Sequence, residues 1–156
     1  MVREQLEPRG ITDPNVLDAM RLVPRHEFVP HLTPEQAYSD QAMPTSGGQT
    51  ISQPYIVAAM TQAAQVEPGM EVLEIGCGSG YQARVLAQIG ARVWSVERDP
   101  GLAVTAQQRI KAAGLDHQIK VLIDDGTRGW PPAAPYDRIL VTAAGPDVPQ
   151  PLRDQC

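Results

Sequence analysis

Residues 72–81 read Val72-Leu73-Glu74-Ile75-Gly76-Cys77-Gly78-Ser79-Gly80-Tyr81, an apolar run carrying one acid and then glycine at every second position. A short apolar run of this kind fits a buried parallel strand. Gly76, Gly78 and Gly80 lack a Cβ, so the backbone can turn sharply there and approach a ligand closely. Val85, Leu86 and Ile89 follow at helical spacing. The unit is strand, glycine turn, helix, and it presents N–H groups of a helix N-terminus beside the carboxyl end of a strand. Such a place suits a nucleotide-like ligand.

Downstream the alternation continues. A strand over 71–75 leads to a helix over 79–89 ended by Gly90, and a second strand covers Arg92–Glu97. Asp99-Pro100 opens the next helix and Gly114 closes it. Further strands are expected over Ile119–Ile123 and about Asp137–Thr142. Alternating strands and helices imply a parallel sheet with right-handed crossovers. The expected fold is therefore a doubly wound, Rossmann-like α/β fold. Ile139, Leu140 and Val141 are apolar and nothing convincing follows them, which leaves an open edge. Further strands are expected beyond Cys156.

Upstream, residues 1–54 carry seven of the fifteen prolines and show no convincing strand. Asp13-Pro14 is a helix start, with Val16, Leu17 and Met20 on one face and an end before Pro24. Thr33-Pro34-Glu35-Gln36 has the capping-box pattern. The loop Pro44–Pro54 precedes a helix over about 53–65, with Ile56, Val57, Met60 and Ala64 expected inward. The chain is divided into a helical extension with a site loop (1–54) and an α/β part (55–156) incomplete at its C-terminus, together one structural unit.

Composition is ordinary for a globular chain: 42% hydrophobic, 20% charged, net charge −5. No run approaches the roughly 18 apolar residues of a membrane span. No cluster of five Lys/Arg offers a nucleic-acid footprint. The first residues lack the apolar core of a signal peptide. Cys77 and Cys156 have no metal or redox spacing, so a reducing, cytoplasmic setting is expected.

Two ligands compete for the glycine turn, a dinucleotide and S-adenosylmethionine. Glu97 lies 19 residues past Gly78, the interval at which an acid meets ribose hydroxyls in either case. A dinucleotide turn reads G-x-G-x-x-G around a pyrophosphate; here the spacing is G-x-G-x-G with Glu74 in front of it. An acid there repels a pyrophosphate and attracts a sulfonium and an ammonium. Asp125-Gly126, after the third strand, can reach an adenine edge. The set favours S-adenosylmethionine. Taken singly, Cys77 reads as a small filler, Trp94 and Trp130 as packing residues, and Ser52 as an N-cap for the following helix.

The strand over 137–142 is followed by Thr142-Ala143-Ala144-Gly145-Pro146, not by the Asn/Asp-Pro-Pro-Tyr/Phe of amino-group methyltransferases, and no Pro-Cys nucleophile is present. The chain instead resembles the bacterial protein-L-isoaspartate (D-aspartate) O-methyltransferases along essentially its full length. The matching residues are Arg9-Gly10-Ile11, Asp13, Val16-Leu17, Met20, Val23-Pro24-Arg25, Phe28-Val29-Pro30, Ala37-Tyr38, Asp40, Ala42 and Pro44. The loop Gly48-Gln49-Thr50-Ile51-Ser52-Gln53-Pro54 is the most specific segment. Val72–Tyr81, Ser95–Arg98 and Tyr136–Ala144 complete the match. Asp124 departs from it, standing where the family has glycine.

The resemblance implies methyl transfer from S-adenosylmethionine to the α-carboxyl of L-isoaspartyl and D-aspartyl residues in damaged proteins. It implies that Ser52 binds the acceptor carboxylate in the active site. The implied cofactor-binding set is Gln49, Thr50, Ile51, Glu74, Gly76, Cys77, Gly78, Ser79, Gly80, Glu97, Arg98, Asp125, Gly126 and Thr142, with no metal. Expected partners are isoaspartyl-containing peptides and proteins, not nucleic acid or membrane, for a monomer. A truncated, non-catalytic remnant and a methyltransferase for another carboxylate or a small molecule are the alternative readings.

Overall fold

The computed structural model describes residues 1–45, 48–145 and 147–156. Its centre is a four-stranded parallel sheet in the order β5-β4-β3-β6, built from β3 (Glu71–Ile75), β4 (Arg92–Glu97), β5 (Ile119–Ile123) and β6 (Arg138–Val141). After β3 the chain adds strands on one side, then crosses back to place β6 on the other. The turn after β3 thus lies where strand order reverses, the usual ligand crevice of such sheets.

Period-two alternation sends successive residues to opposite faces. Val72, Val93, Ile119 and Leu140 join a large core with α1 (Pro14–Leu22), α3 (Pro54–Ala63) and α4 (Tyr81–Ile89). Leu73, Ile75 and Val96 face a smaller cluster with Tyr136 and Leu152, to which Trp94 and Trp130 add partly buried rings. Both tryptophans are packing residues, and Trp94 also donates to Glu71 Oε2 at 3.0 Å. Val16, Met20, Val23, Phe28 and Val29 of the N-terminal segment share the large core with Val85 and Leu86.

Helix starts follow the expected capping chemistry. The Asp13 carboxylate accepts from the N–H groups of Asn15 and Val16, at 2.8 and 3.3 Å. Asp99 does the same for α5 (Pro100–Ala112), accepting from Gly101 and Leu102. Thr33 and Gln36 form the reciprocal capping box of α2 (Pro34–Ala37). The α1 cap is also tied to α3, because Gln62 accepts from Thr12 and Asp13 N–H and donates to the Gly10 carbonyl. An Asp13→Ala variant is expected to lose about 1 kcal/mol of stability in urea melts, the ordinary value of an N-cap.

Three expectations are corrected. The helix expected from residue 79 begins at Tyr81, because Gly80 takes a left-handed φ of +87° and cannot continue a right-handed helix. In α3 Val57 is buried and Met60 and Ala64 pack partly buried against the core as expected, but Ile56 is 40% exposed and Ala58 and Thr61 are buried in its stead. Thr61 can be buried because its hydroxyl donates to the Val57 carbonyl and accepts from Gln82 Nε2, at 2.8 and 2.9 Å. Reading threonine as polar shifted the face. Lastly, residues 1–54 do contain strands: β1 (Met43–Pro44) pairs antiparallel with β2 (Thr50–Ile51). At two residues each, with a proline in one, they leave no sequence period to read. Pro146 and two loop residues, Ser46 and Gly47, lie outside the described residues.

β6 is hydrogen-bonded to β3 alone among the described residues, as an edge strand. After it comes the short α6 (Gln150–Arg153), whose Leu152 is buried. Gln155 then fastens the neighbouring loop, accepting from Trp130 N–H and donating to the Arg128 carbonyl.

Candidate active site

The glycine turn is shaped by what surrounds it. Gly76 has φ +99°, and a Cβ there would sit 2.9 Å from Thr142 Oγ1 and 3.0 Å from Ala143 Cβ. The end of β6 thus closes on the turn, and the Thr142 hydroxyl lies 2.9 and 2.7 Å from the carbonyls of Ile75 and Gly76. Glycine is required by both conformation and space. Gly126 makes a similar close approach, since a Cβ on it would meet Ile75 Cγ2 at 2.5 Å.

The N–H groups of the turn are largely spent within the protein. Gly76 and Cys77 donate to the Val96 carbonyl, Gly80 donates to the Cys77 carbonyl, and Gly78 donates to Glu97 Oε2 at 2.8 Å. The donors left for a ligand are those of Ser79 and of Gln82 and Ala83 on the first turn of α4, which have no partner among the described residues. The turn also offers a ligand a backbone surface without Cβ atoms. Glu97 also accepts from Asp99 N–H at 2.9 Å. Each carboxylate oxygen keeps a second lone-pair direction for a hydroxyl donor.

Glu74 is fully buried, with Oε2 accepting a short hydrogen bond from Ser95 Oγ and Oε1 left without a partner among the described residues. Burial pushes its carboxyl up to about 8, with the Glu97 charge adding to the rise and the Ser95 bond opposing it. At neutral pH the ligand-free carboxyl is mostly protonated, so the permanent negative charge assumed from sequence is not there. Cys77 is a buried filler whose thiol is pushed up by burial and by Glu74, the opposite of an activated nucleophile.

A cleft opens over the turn. Glu74, Gly76, Cys77, Gly78, Ser79 and Thr142 line its base, and Thr50, Ile51 and Ser52 line it from the β2 loop. The remaining wall comes from Val57, Tyr81 and Gln82, which the sequence reading did not single out. Tyr81 and Gln82 lie on the first turn of α4, and that position was the available signal. Gln49, Gly80, Glu97, Arg98, Asp125 and Gly126 do not line it. Glu97 is joined to the site through its bond to Gly78. Asp125 is exposed and spends its carboxylate capping Thr127 through N–H and hydroxyl, which holds its pKa below the ordinary carboxylate value, with smaller help from Arg128 and Arg98.

Ser52 is not the cap of α3. The N-cap is Gln53, without a side-chain bond, and the helix N-terminus is served by Asp40, which accepts from Tyr55 N–H at 2.9 Å. The Ser52 hydroxyl makes no hydrogen bond among the described residues and lines the cleft. Of the three histidines, His26 lies 2.9 Å from the Tyr38 hydroxyl and His31 2.9 Å from the Pro44 carbonyl; none lines the cleft.

A parallel sheet with a glycine turn at its reversal point and an acid ending the next strand frames a site for an adenosine-bearing ligand, and the G-x-G-x-G spacing behind Glu74 favours the S-adenosylmethionine-dependent methyltransferase class over dinucleotide enzymes. Solved structures agree. A protein-L-isoaspartate O-methyltransferase superposes with TM-score 0.87 at 29% identity, over 99% of this chain and 52% of the other. A Plasmodium falciparum protein described as the same kind of enzyme, in complex with S-adenosyl-L-homocysteine, gives 0.82 at 25% identity, over 99% and 77%. The family model of protein-L-isoaspartate(D-aspartate) O-methyltransferase matches residues 1–156, and the chain belongs to that family. Relatives of that name from Syntrophobacter fumaroxidans and Methanoculleus marisnigri are 55% and 54% identical over 155 residues. Those alignments cover 99% of this chain and 72% and 70% of the relatives.

Proposed function

We propose that this chain transfers a methyl group from S-adenosylmethionine to the α-carboxyl of L-isoaspartyl and D-aspartyl residues in damaged proteins, the first step of their repair. The observation that carries the reading is the unbonded Ser52 hydroxyl in one cleft with Thr50, Ile51 and the glycine turn. The fit of the donor is supported by Glu74, whose partnerless buried Oε1 is the kind of acceptor that a cationic ligand completes. Bound S-adenosylmethionine supplies a sulfonium-activated methyl group.

The chain's own residues then do little chemistry. An α-carboxyl has an ordinary pKa of about 3.5 and is ionised at neutral pH, so no general base is needed. That agrees with a cleft lining free of histidine and with a Cys77 thiol held neutral. Catalysis rests on placement, with Ser52 donating to the acceptor carboxylate and holding it in line. Gly76, Cys77, Gly78, Ser79, Gly80 and Thr142 shape the donor's seat, with Glu74 facing its cationic end. Thr50 and Ile51 wall it with Gln49 behind them in the chain, Glu97 and Arg98 serve the ribose side, and Asp125 and Gly126 the adenine side. The same reading has the chain working as a monomer in the cytoplasm, without nucleic acid or membrane as partner. In support, net charge is −5 and no helix among the described residues is long and apolar enough to cross a membrane.

The test is methyl incorporation into an isoaspartyl peptide and its aspartyl twin. Labelling of the first alone is expected, and equal labelling of both would sink the assignment. Ser52→Ala is expected to lower kcat/KM about 10- to 100-fold, the value of a hydrogen bond to a charged group. S-Adenosylhomocysteine affinity should stay within about twofold, since Ser52 acts on the acceptor.

A further inference from the structure

Arg25 opens a short 3-10 turn after Pro24 and is completely buried. Its Nε donates to the Ala37 carbonyl and its Nη2 to the Ser52 carbonyl, both at 2.7 Å. Its guanidinium carbon lies 4.9 Å from the centre of the Tyr81 ring, which itself lines the cleft. Nη1 has no hydrogen-bond partner among the described residues. No carboxylate forms an ion pair with Arg25: Asp40, whose charge is felt there, is bonded to Arg9 and to Tyr55 N–H.

A buried cation without a carboxylate is costly, and two neutral carbonyls satisfy its hydrogen bonds without cancelling its charge. Burial accordingly lowers the Arg25 pKa, while Tyr81 and Asp40 partly restore it. A fold that only needed a staple between the 37 and 52 segments could use a neutral side chain. Here the unpaired charge is bonded to the residue whose hydroxyl lines the cleft. A site with such a charge beside it favours an anionic occupant over a neutral one.

We propose that Arg25 is a positioning residue for the acceptor: it fixes the Ser52 backbone and holds an unpaired positive charge beside the acceptor site, so that an ionised carboxylate is the occupant the site selects. The inference rests on the methyltransferase reading above and goes beyond it by assigning the preference for an anion to a residue outside the cleft lining.

The test compares Arg25→Met and Arg25→Lys with the unaltered full chain. S-Adenosylhomocysteine affinity is expected to stay within about threefold for both, because the glycine turn is untouched. The KM for an isoaspartyl peptide is expected to rise about tenfold or more in Arg25→Met, with a smaller fall in kcat. Arg25→Lys, which keeps the charge but loses the fork, should recover part of that rise. Amide exchange over residues 50–54 should quicken in both variants and stay unchanged over 72–76. An unchanged KM in Arg25→Met overturns the proposal even if exchange quickens, since the arginine then only staples the loop. Should Arg25→Met not fold, a KM unchanged in Arg25→Lys together with unchanged exchange overturns it. If the unaltered chain methylates no isoaspartyl peptide, the functional reading fails by itself. Unchanged exchange over 50–54 then separately removes Arg25 from the loop's support.

Discussion

Gly76→Ala is expected to weaken S-adenosylhomocysteine binding by more than tenfold (about 1.4 kcal/mol or more) and to lower stability by roughly 2–4 kcal/mol. Two costs add. At φ +99° a residue with a Cβ sits in a backbone region worth about 1–2 kcal/mol of strain. The new methyl also meets Thr142 Oγ1 at 2.9 Å and Ala143 Cβ at 3.0 Å. Relief requires moving the end of β6 or the turn itself, and either one reshapes the base of the cleft. Gly78→Ala is the control. Its φ of +53° carries the backbone cost of the left-handed region too, but a Cβ there meets no protein atom within 4 Å. Urea melts should rank wild type above Gly78→Ala and Gly78→Ala well above Gly76→Ala, because only Gly76 has protein atoms where the Cβ would go. Equal losses of stability in the two variants would defeat the packing argument.

Glu74→Gln is expected to remove most of a pH-dependent loss of stability in the ligand-free protein. The carboxyl stands at about 8 in the folded chain against an ordinary 4.5. Between these values the folded state binds more protons than the unfolded state, so stability falls as pH rises. The contribution is fully present below about 4.5 and gone once pH passes about 8. Its size is roughly 3–5 kcal/mol, since each pKa unit is worth about 1.4 kcal/mol. Urea melts at pH 5, 6.5 and 8 should show that slope in the wild type and a flatter line in Glu74→Gln. The glutamine starts lower at pH 5, because its amide brings buried donors that lack partners, at about 1–3 kcal/mol. A variant that keeps the wild-type slope would remove Glu74 from the titration.

The α/β half was legible in sequence because its signals are local and redundant. Asp99-Pro100 caps a helix, and 92–97 alternates as a strand should; each fixes its element without help from afar. The N-terminal part was harder to read, since its order comes from tertiary contacts. The β1–β2 ribbon is too short to show a period, and Thr61 is inward only because Gln82 meets it. At the site, Ser52 came from a resemblance while its own residue type suggested a cap. The structure separates the two readings by giving the capping work to Asp40, fifteen residues before Tyr55. Arg25 stood in the matching segments without a role, because nothing in a string of letters shows that a charge is buried.

The Thr142 contacts carry a consequence for how the chain acquires its binding site. β3, α4 and β4 are neighbours in sequence and can associate early, since closing short loops costs little entropy. The seat at Gly76 is not complete at that stage, because the hydroxyl that meets its carbonyl arrives from 66 residues downstream. Affinity for S-adenosylhomocysteine therefore reports the docking of β6, and the ligand acts as a late clamp that draws refolding forward. In a stopped-flow experiment, ligand capture should lag behind the burial of Trp94, which is paired to the sheet through β4.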